Sequence, residues 1–572
     1  MTATLRLGAE ANQTRLDSYR DRQTLAGLAN GGIGSVQTTE FSHWLAEGLL
    51  KYENTFGNDH SFSLLGGITF EEFLTRELDG SASNFLSDVT GTNNLQGGDG
   101  DANDDVASSK IKNQLNGFIG RATYDYQGKY LLTASFRIDG SSRFSEENKY
   151  AFFPSGSIGW RLSKESFLAD VAAIDDLKLR VGYGELGNQG IDNFETRQTL
   201  IAGGNSVFGG SIVQGVVAAR LPNPDLTWET TREVNVGLDF GVLGNRISGS
   251  IDFFNRVTVD QLFNRPLPSV VGFNSVRVNL GEVRNRGVDI GVKTVNIEKG
   301  DFRWTSFING SFLSNEVTEL PDFAEEIIQG NIGTFINQYT VITEGAPLRA
   351  FYGFEIDGMF QQGDDIASAA TPFSVDDGYA AGMPRFVDQN GDGEINAEDR
   401  VVLGDPFPDF SFGFNNRLEY KNLSLEVFIQ GVQGIESLDA NVTESLYPTN
   451  SFRNSISRYY LDRWTPENPT NELPSGENAN LYGGAFAINS LTVVDASFIR
   501  FRNITLGYNV PVQGWASSLG VYVAADNLIT ITDFESFDPD ASAQGGQAGV
   551  VRSSYNSYPL ARTFRLGVDV TF

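Results

Sequence analysis

The residues of this chain best suited to chemistry are oxygen donors on one short stretch, Asp388-Gln389-Asn390-Gly391-Asp392-Gly393-Glu394-Ile395-Asn396-Ala397-Glu398-Asp399. Asp388, Asn390 and Asp392 stand at loop positions 1, 3 and 5, the Glu394 backbone carbonyl at position 7, and Asp399 at position 12. Hard oxygens at this spacing wrap a calcium ion. Gly393 permits the sharp turn at position 6, and Ile395 can anchor the loop to a local core. Position 12 carries Asp, where a helix–loop–helix calcium site has a bidentate Glu. The competing reading is an Asp/Gly-rich turn without metal. The complete donor set favours calcium, held structurally.

Other chemistry is poorly supported. The chain has no Cys, which removes thiol nucleophiles, disulfides and Cys-based metal sites. Its two histidines, His43 and His60, flank a hairpin, and no Ser or Asp is tied to them by spacing. Asp99, Asp101, Asp104 and Asp105 lie in Gly/Asn-rich sequence without ligand spacing and read as a solvated loop. Glu146-Glu147 and Asp364-Asp365 are carboxylate pairs of the kind glycosidases use, but in a loop-rich acidic chain they read as surface. The Gly203-Gly204-Asn205 stretch precedes no helical pattern, so it is not a phosphate loop. No catalytic or substrate-contacting residue can be named, and an enzyme is not expected. A net charge of −30 excludes nucleic acid as a partner, because phosphate binding needs a basic stripe.

The elements that must position these residues are strands. With 63 Gly, 42 Phe and 19 Tyr in 572 residues, the composition is that of an all-β protein rich in turns. Phe118, Gly120, Ala122, Tyr124 and Tyr126 alternate with Arg121, Thr123 and Asp125. After Gln127-Gly128-Lys129, the residues Tyr130, Leu132, Ala134, Phe136 and Ile138 alternate with Thr133, Ser135, Arg137 and Asp139. This is period two, a strand with one apolar and one polar face. The same phase sets Val236, Leu238, Val288, Ile290, Leu425, Val427, Leu566 and Val568 against Lys178, Arg180, Asn235, Asp239, Arg417, Glu426, Arg565 and Asp569. Arg500 and Arg502 conflict with the phase of Ile504, Leu506 and Tyr508 unless a bulge intervenes.

Short connections alternate with long ones. Short are Gly57-Asn58-Asp59, Gln127-Gly128-Lys129, Val242 to Asn245, Asn296 to Asp301 and Lys421-Asn422; long are roughly 81–111, 140–149, 185–230, 260–276, 317–408, 431–491 and 534–552. Counting strands between them gives about sixteen. The segment Leu348 to Phe360 is assigned to the long 317–408 loop, because a spanning strand there would reverse Lys421-Asn422. Tyr126, Tyr130, Trp160, Phe240, Trp304 and Tyr420 sit near short turns on the apolar face, as an interfacial girdle does. No apolar run reaches the 18 residues of a membrane helix, and the opening residues carry no signal-peptide pattern. An antiparallel transmembrane β-barrel meets all of these features, with long extracellular loops and short periplasmic turns.

Several stretches, in order, resemble the SusC/RagA-type TonB-dependent transporters of Bacteroidota. They are Tyr130-Leu131-Leu132-Thr133-Ala134-Ser135-Phe136-Arg137 through Arg143-Phe144; Asn223-Pro224-Asp225-Leu226-Thr227-Trp228-Glu229; Asn279-Leu280-Gly281 through Gly287-Val288-Asp289; Arg463-Trp464-Thr465-Pro466; Asp495-Ala496-Ser497-Phe498-Ile499-Arg500; and Asp526-Asn527-Leu528. Asp289 stands where that family usually has Glu. A terminal Phe572 in phase with Phe564, Leu566, Val568 and Val570 is similar to a bacterial outer-membrane assembly signal. The 388–399 loop resembles a dockerin-type calcium loop, which related transporters often carry at this place.

The resemblance implies that residues 1–572 are the C-terminal part of such a barrel, about 16 of an expected 22 strands, with signal peptide, TonB box and plug absent. It implies active import of oligosaccharides or peptides across the outer membrane of a Gram-negative, Bacteroidota-like cell. TonB would energise import through the plug, and a SusD-like surface lipoprotein would be the partner. The alternative is a secreted or surface-attached, calcium-stabilised β-rich adhesin, whose apolar strand faces would be covered by protein.

Overall fold

The computed structural model describes residues 1–57, 59–98, 105–168, 170–213, 215–321, 324–332, 336–446, 461–476, 485–514, 516–541 and 552–572. Asp99, Asp101, Asp104 and Asn58 lie outside them.

Sixteen strands form one sheet in chain order, numbered here β1 to β16. They are β1 Thr2–Arg20, β2 Ile33–Phe56, β3 His60–Ser83, β4 Asp105–Tyr126, β5 Tyr130–Ser141, β6 Tyr150–Arg161, β7 Ile174–Asn188 and β8 Glu229–Val242. There follow β9 Ile247–Val259, β10 Glu282–Lys299, β11 Phe302–Glu319, β12 Phe410–Tyr420, β13 Leu423–Gln433, β14 Phe498–Val510, β15 Ser518–Ile531 and β16 Thr563–Thr571. Pairing is antiparallel, as the hairpin pattern requires. Even-numbered strands lead into short connections such as 57–59, 127–129, 243–246, 300–301 and 421–422. Odd-numbered strands lead into longer ones such as 84–104, 189–228, 260–281, 320–409, 434–497 and 532–562. One pair departs from this order: 162–173 after β6 is longer than 142–149 after β5.

Register shows the two faces directly, because residues opposite one another share a face. In the unit that contains residues 1–160, one row reads Tyr52, Leu64, Ala122, Ala134, Gly156, and the next reads Glu53, Ser63, Thr123, Thr133, Ser157. In the unit that contains residues 281–572, Leu418, Leu425, Leu506, Val523 and Leu566 form one row and Arg417, Glu426, Thr505, Ala524 and Arg565 the next. The apolar rows are not covered by protein: Leu64, Ile68, Phe118, Phe136 and Phe152 are exposed in the first unit, and Leu506, Val523 and Leu566 in the second.

The buried cores lie mainly in the connections. Phe144, Phe153, Ile191, Leu226 and Trp228 form one in the first unit. In the second unit the 320–409 connection folds a four-stranded sheet from Glu326–Ile332, Ile336–Thr343, Ala350–Phe354 and Arg400–Gly404. Leu348 to Phe360 thus stays out of the main sheet, as expected. Phe351 packs there with Ile336, Tyr339, Leu438 and Ile488.

One turn was placed too early by the sequence. The strand β10 continues to Lys299, so the turn is Gly300-Asp301 rather than Asn296 to Asp301. The register slips between Val295 and Ile297. Asn296 is therefore a bulge residue that breaks the alternation without ending the strand. Its side chain donates to Ser306 Oγ at 2.7 Å, Ser306 donates to Asn416 Oδ1 at 2.7 Å, and the Trp304 indole donates to the same oxygen at 3.1 Å.

Gly287 tests how tightly β10 and β11 are packed. A Cβ there would lie 2.1 Å from the Phe312 carbonyl oxygen and 2.6 Å from the Phe254 ring. A paired backbone cannot step aside, so Gly287→Ala is expected to cost about 1–3 kcal/mol. Gly291→Ala, whose Cβ meets only Ser250 at 3.9 Å, should be much milder. Thermal unfolding of both variants in detergent checks this; equal midpoints would refute the close approach.

Candidate functional site

The 388–399 loop follows the short strand Pro384–Phe386 and leads into Arg400–Gly404. Gly391 and Gly393 have φ of +76° and +88°, a conformation open to glycine at little cost. The Asp388 carboxylate accepts from the Gly391 and Gly393 amides at 2.7 and 2.9 Å. Asn390 Oδ1 accepts from Asp392 N at 2.9 Å, and Asp392 Oδ1 from Glu394 N at 2.8 Å. Asp399 is fully buried and closes the loop, accepting from Gln389 N at 2.9 Å and Asn396 N at 2.7 Å. Ile395 is buried with Phe354, Phe360, Tyr379, Met383 and Phe386, so the anchoring expected of it is present.

All the donors at the ligand positions are oxygens, and each carboxylate oxygen bonded to one amide keeps a further lone pair. The set therefore fits a hard cation in kind. In this conformation the loop carboxylates answer backbone N–H groups, and among the described residues no three Asp, Glu or His side chains gather closely enough to hold a metal.

The weaker candidates fall to structural roles. His43 meets Glu71 at 3.1 Å and stacks on Phe73, while His60 meets the Tyr124 hydroxyl at 2.7 Å. Glu146 pairs with Lys149, and Asp364 accepts from Gln361 N. On the polar face Lys178, Arg180 and Asp239 do come together: Arg180 donates to Asp239 at 2.8 Å and lies 3.0 Å from Asp252, and Lys178 lies 3.3 Å from Asp239.

What sequence reasoning missed is a set of joints that fasten the long connections. In the first unit Trp228 Nε1 donates to the Lys149 carbonyl, Thr227 N to Asn279 Oδ1 at 2.9 Å, and Arg143 to the Ile191 carbonyl at 2.8 Å. In the second unit the Trp464 indole donates to Gln361 Oε1 at 3.0 Å. Arg500 is 1% exposed, sits 4.9 Å from the Phe498 ring, and donates to Asp538, Asp540 and Thr530. The bulge that the phase conflict demanded lies at Arg502, where register slips against both neighbours. Arg502 donates to Asn527 Oδ1 at 3.0 Å, and Asn527, with φ of +52°, donates onward to the Ala561 carbonyl. The only sequence signal for this joint was the two arginines out of phase.

A family model described as TonB dependent receptor-like, beta-barrel matches residues 2–528. The chain belongs to the TonB-dependent receptor family. Among its relatives, TonB-dependent receptor P26 of Formosa agariphila is 34% identical over 572 residues, covering 98% of this chain and 56% of the relative. TonB-dependent receptor SusC of Bacteroides thetaiotaomicron is 29% identical over 488 residues, 81% of this chain and 44% of the relative. The chain thus spans about half the length of the curated relatives it matches. A solved structure titled as the RagAB peptide transporter aligns over 100% of this chain and 60% of its own, with a TM-score of 0.82 at 23% identity, a likeness of fold. In this β-barrel family the bare apolar rows are the lipid-facing side.

Arg500 and Asp538 support an expected pH response. Burial works to raise the Asp538 pKa, but the Asp540 and Leu560 amides and the Arg500 guanidinium outweigh it, and the net shift is downward. A carboxyl held below its unfolded value stabilises above the ordinary carboxylate range, and that contribution is lost as pH falls through the folded value. The Asp540 and Leu560 amides, which donate to Asp538 at 2.9 and 3.0 Å, should lose exchange protection only below about pH 4. Arg500→Met, which strands a buried carboxylate, should cost this joint about 3–5 kcal/mol at neutral pH. Hydrogen exchange with mass spectrometry reads both, and unchanged protection in the variant would contradict the assignment.

Proposed function

We propose that the full protein is a TonB-energised importer in the outer membrane of a Bacteroidota-like cell, taking up oligosaccharides or peptides with a SusD-like surface lipoprotein. It carries out no covalent chemistry. The observation that carries this reading is the pair of faces: exposed apolar rows suited to lipid, beside polar rows suited to a lumen. Kinship with a relative named SusC supports it, as does a fold shared with a structure titled as a peptide transporter. The adhesin alternative would need those rows covered by protein, and they are bare. TonB would act through a plug outside this stretch.

Deleting the gene, or TonB, should abolish uptake of the cognate labelled oligosaccharide or peptide by whole cells, and affinity capture should recover a surface lipoprotein. Undiminished uptake after TonB loss would contradict the proposal.

Calcium belongs to the same reading. The 388–399 loop would hold one ion through Asp388, Asn390, Asp392, the Glu394 carbonyl and Asp399, bracing the 320–409 connection through Ile395. Calorimetric titration with calcium should give binding heat for the wild type and none for Asp388→Ala/Asp392→Ala, with the strands intact in both. Equal heat from the two proteins would mean that the loop is only a turn.

A further inference from the structure

Among the long connections of the second unit lies a cavity of about 290 Å³. Buried Val442, Leu446 and Phe534 supply its apolar floor, from the helix Ala440–Leu446 and the segment after β15. Glu472, Asp495, Asp533 and Glu535 stand exposed at its wall, and buried Asp439 also lines it. No Lys or Arg is among its described lining residues. Among the described residues Glu472, Asp495 and Asp533 have no ion-pair partner. Asp495 accepts only the Ser497 amide, at 2.7 Å.

We propose that this cavity binds the side chain of a lysine or arginine carried by a peptide. Unpaired carboxylates beside low-dielectric walls concentrate negative potential, and an entering cation relieves their mutual repulsion. The apolar floor selects what carries that cation. Lysine and arginine lay a methylene stem along apolar surface and keep the charged head at a polar edge, which is how this cavity is layered. A bare metal ion gains nothing from Val442 and Leu446, and sugar hydroxyls placed against them would lose their hydrogen bonds. The volume falls at the bottom of the range for small-molecule sites, about 300–1,000 Å³, and suits one side chain rather than an oligosaccharide.

This inference rests on the import reading only in that it places the cavity among the connections that meet cargo. The test uses the full-length protein in detergent and calorimetry with blocked tripeptides Ala-Lys-Ala, Ala-Arg-Ala and Ala-norleucine-Ala, with free n-butylamine as a competitor. The basic peptides should bind about tenfold more tightly than the norleucine peptide, with a preference that shrinks as salt is raised. Asp495→Asn/Asp533→Asn, at two exposed positions, should erase the preference while the protein keeps its heat-modifiable gel mobility. Equal affinity for basic and neutral peptides, a preference that survives in the variant, or n-butylamine matching the peptides would each overturn the proposal. Loss of TonB-dependent uptake as an explanation would leave a measured preference standing. Intact TonB-dependent uptake without any preference would remove this site alone.

Discussion

In hydrocarbon a backbone N–H or C=O has no water to turn to, so a chain that crosses as strands must give every strand a neighbour on each side. That requirement accounts for β2 to β15 each lying between two hydrogen-bonded neighbours, with turns as tight as Gly300-Asp301 and Lys421-Asn422. It also sets the side-chain phase. Once neighbours are in register, Leu418, Leu425, Leu506, Val523 and Leu566 must share one face and Arg417, Glu426 and Arg565 the other. A slip of one residue anywhere would exchange the two.

The usual place of a hydrophobic core is inverted as a result. Strand residues that would be interior in a soluble sheet are exposed, while Trp228, Phe351, Ile488 and Met383 are buried in the long connections. Those connections are folded bodies with their own sheets, and specific polar joints tie them down. Arg500 is the clearest: a fully buried guanidinium, reached only because a bulge at Arg502 resets the strand, holds the carboxylates of the segment that follows β15.

The repetitive part of the structure was the legible part. Period-two alternation and turn chemistry are local, so strand number, face and the exclusion of Leu348 to Phe360 could be read from the sequence. Irregularities were legible only when they broke the pattern with conspicuous residues. Arg500 and Arg502 announced a bulge, whereas polar Asn296 passed for a turn. The joints could not be read, because Trp464 and Gln361 lie 103 positions apart and nothing local marks them as partners. The calcium-type spacing was plain, but whether its oxygens close on an ion depends on how Asp399 divides them between backbone amides and metal.

The central claim is that lipid covers the row through Leu425, Leu506 and Val523, and water the row through Arg417, Glu426 and Thr505. These 572 residues contain no cysteine, so single cysteines can be placed at these six positions in a full-length protein cleared of any cysteine elsewhere, and spin-labelled. Collision with oxygen and with a water-soluble nickel chelate is then measured by electron paramagnetic resonance in lipid bilayers. Alternation is expected, with high oxygen collision at 425, 506 and 523 and high nickel collision at 417, 426 and 505. Six labels all reporting water, or the two rows reversed, would contradict the account.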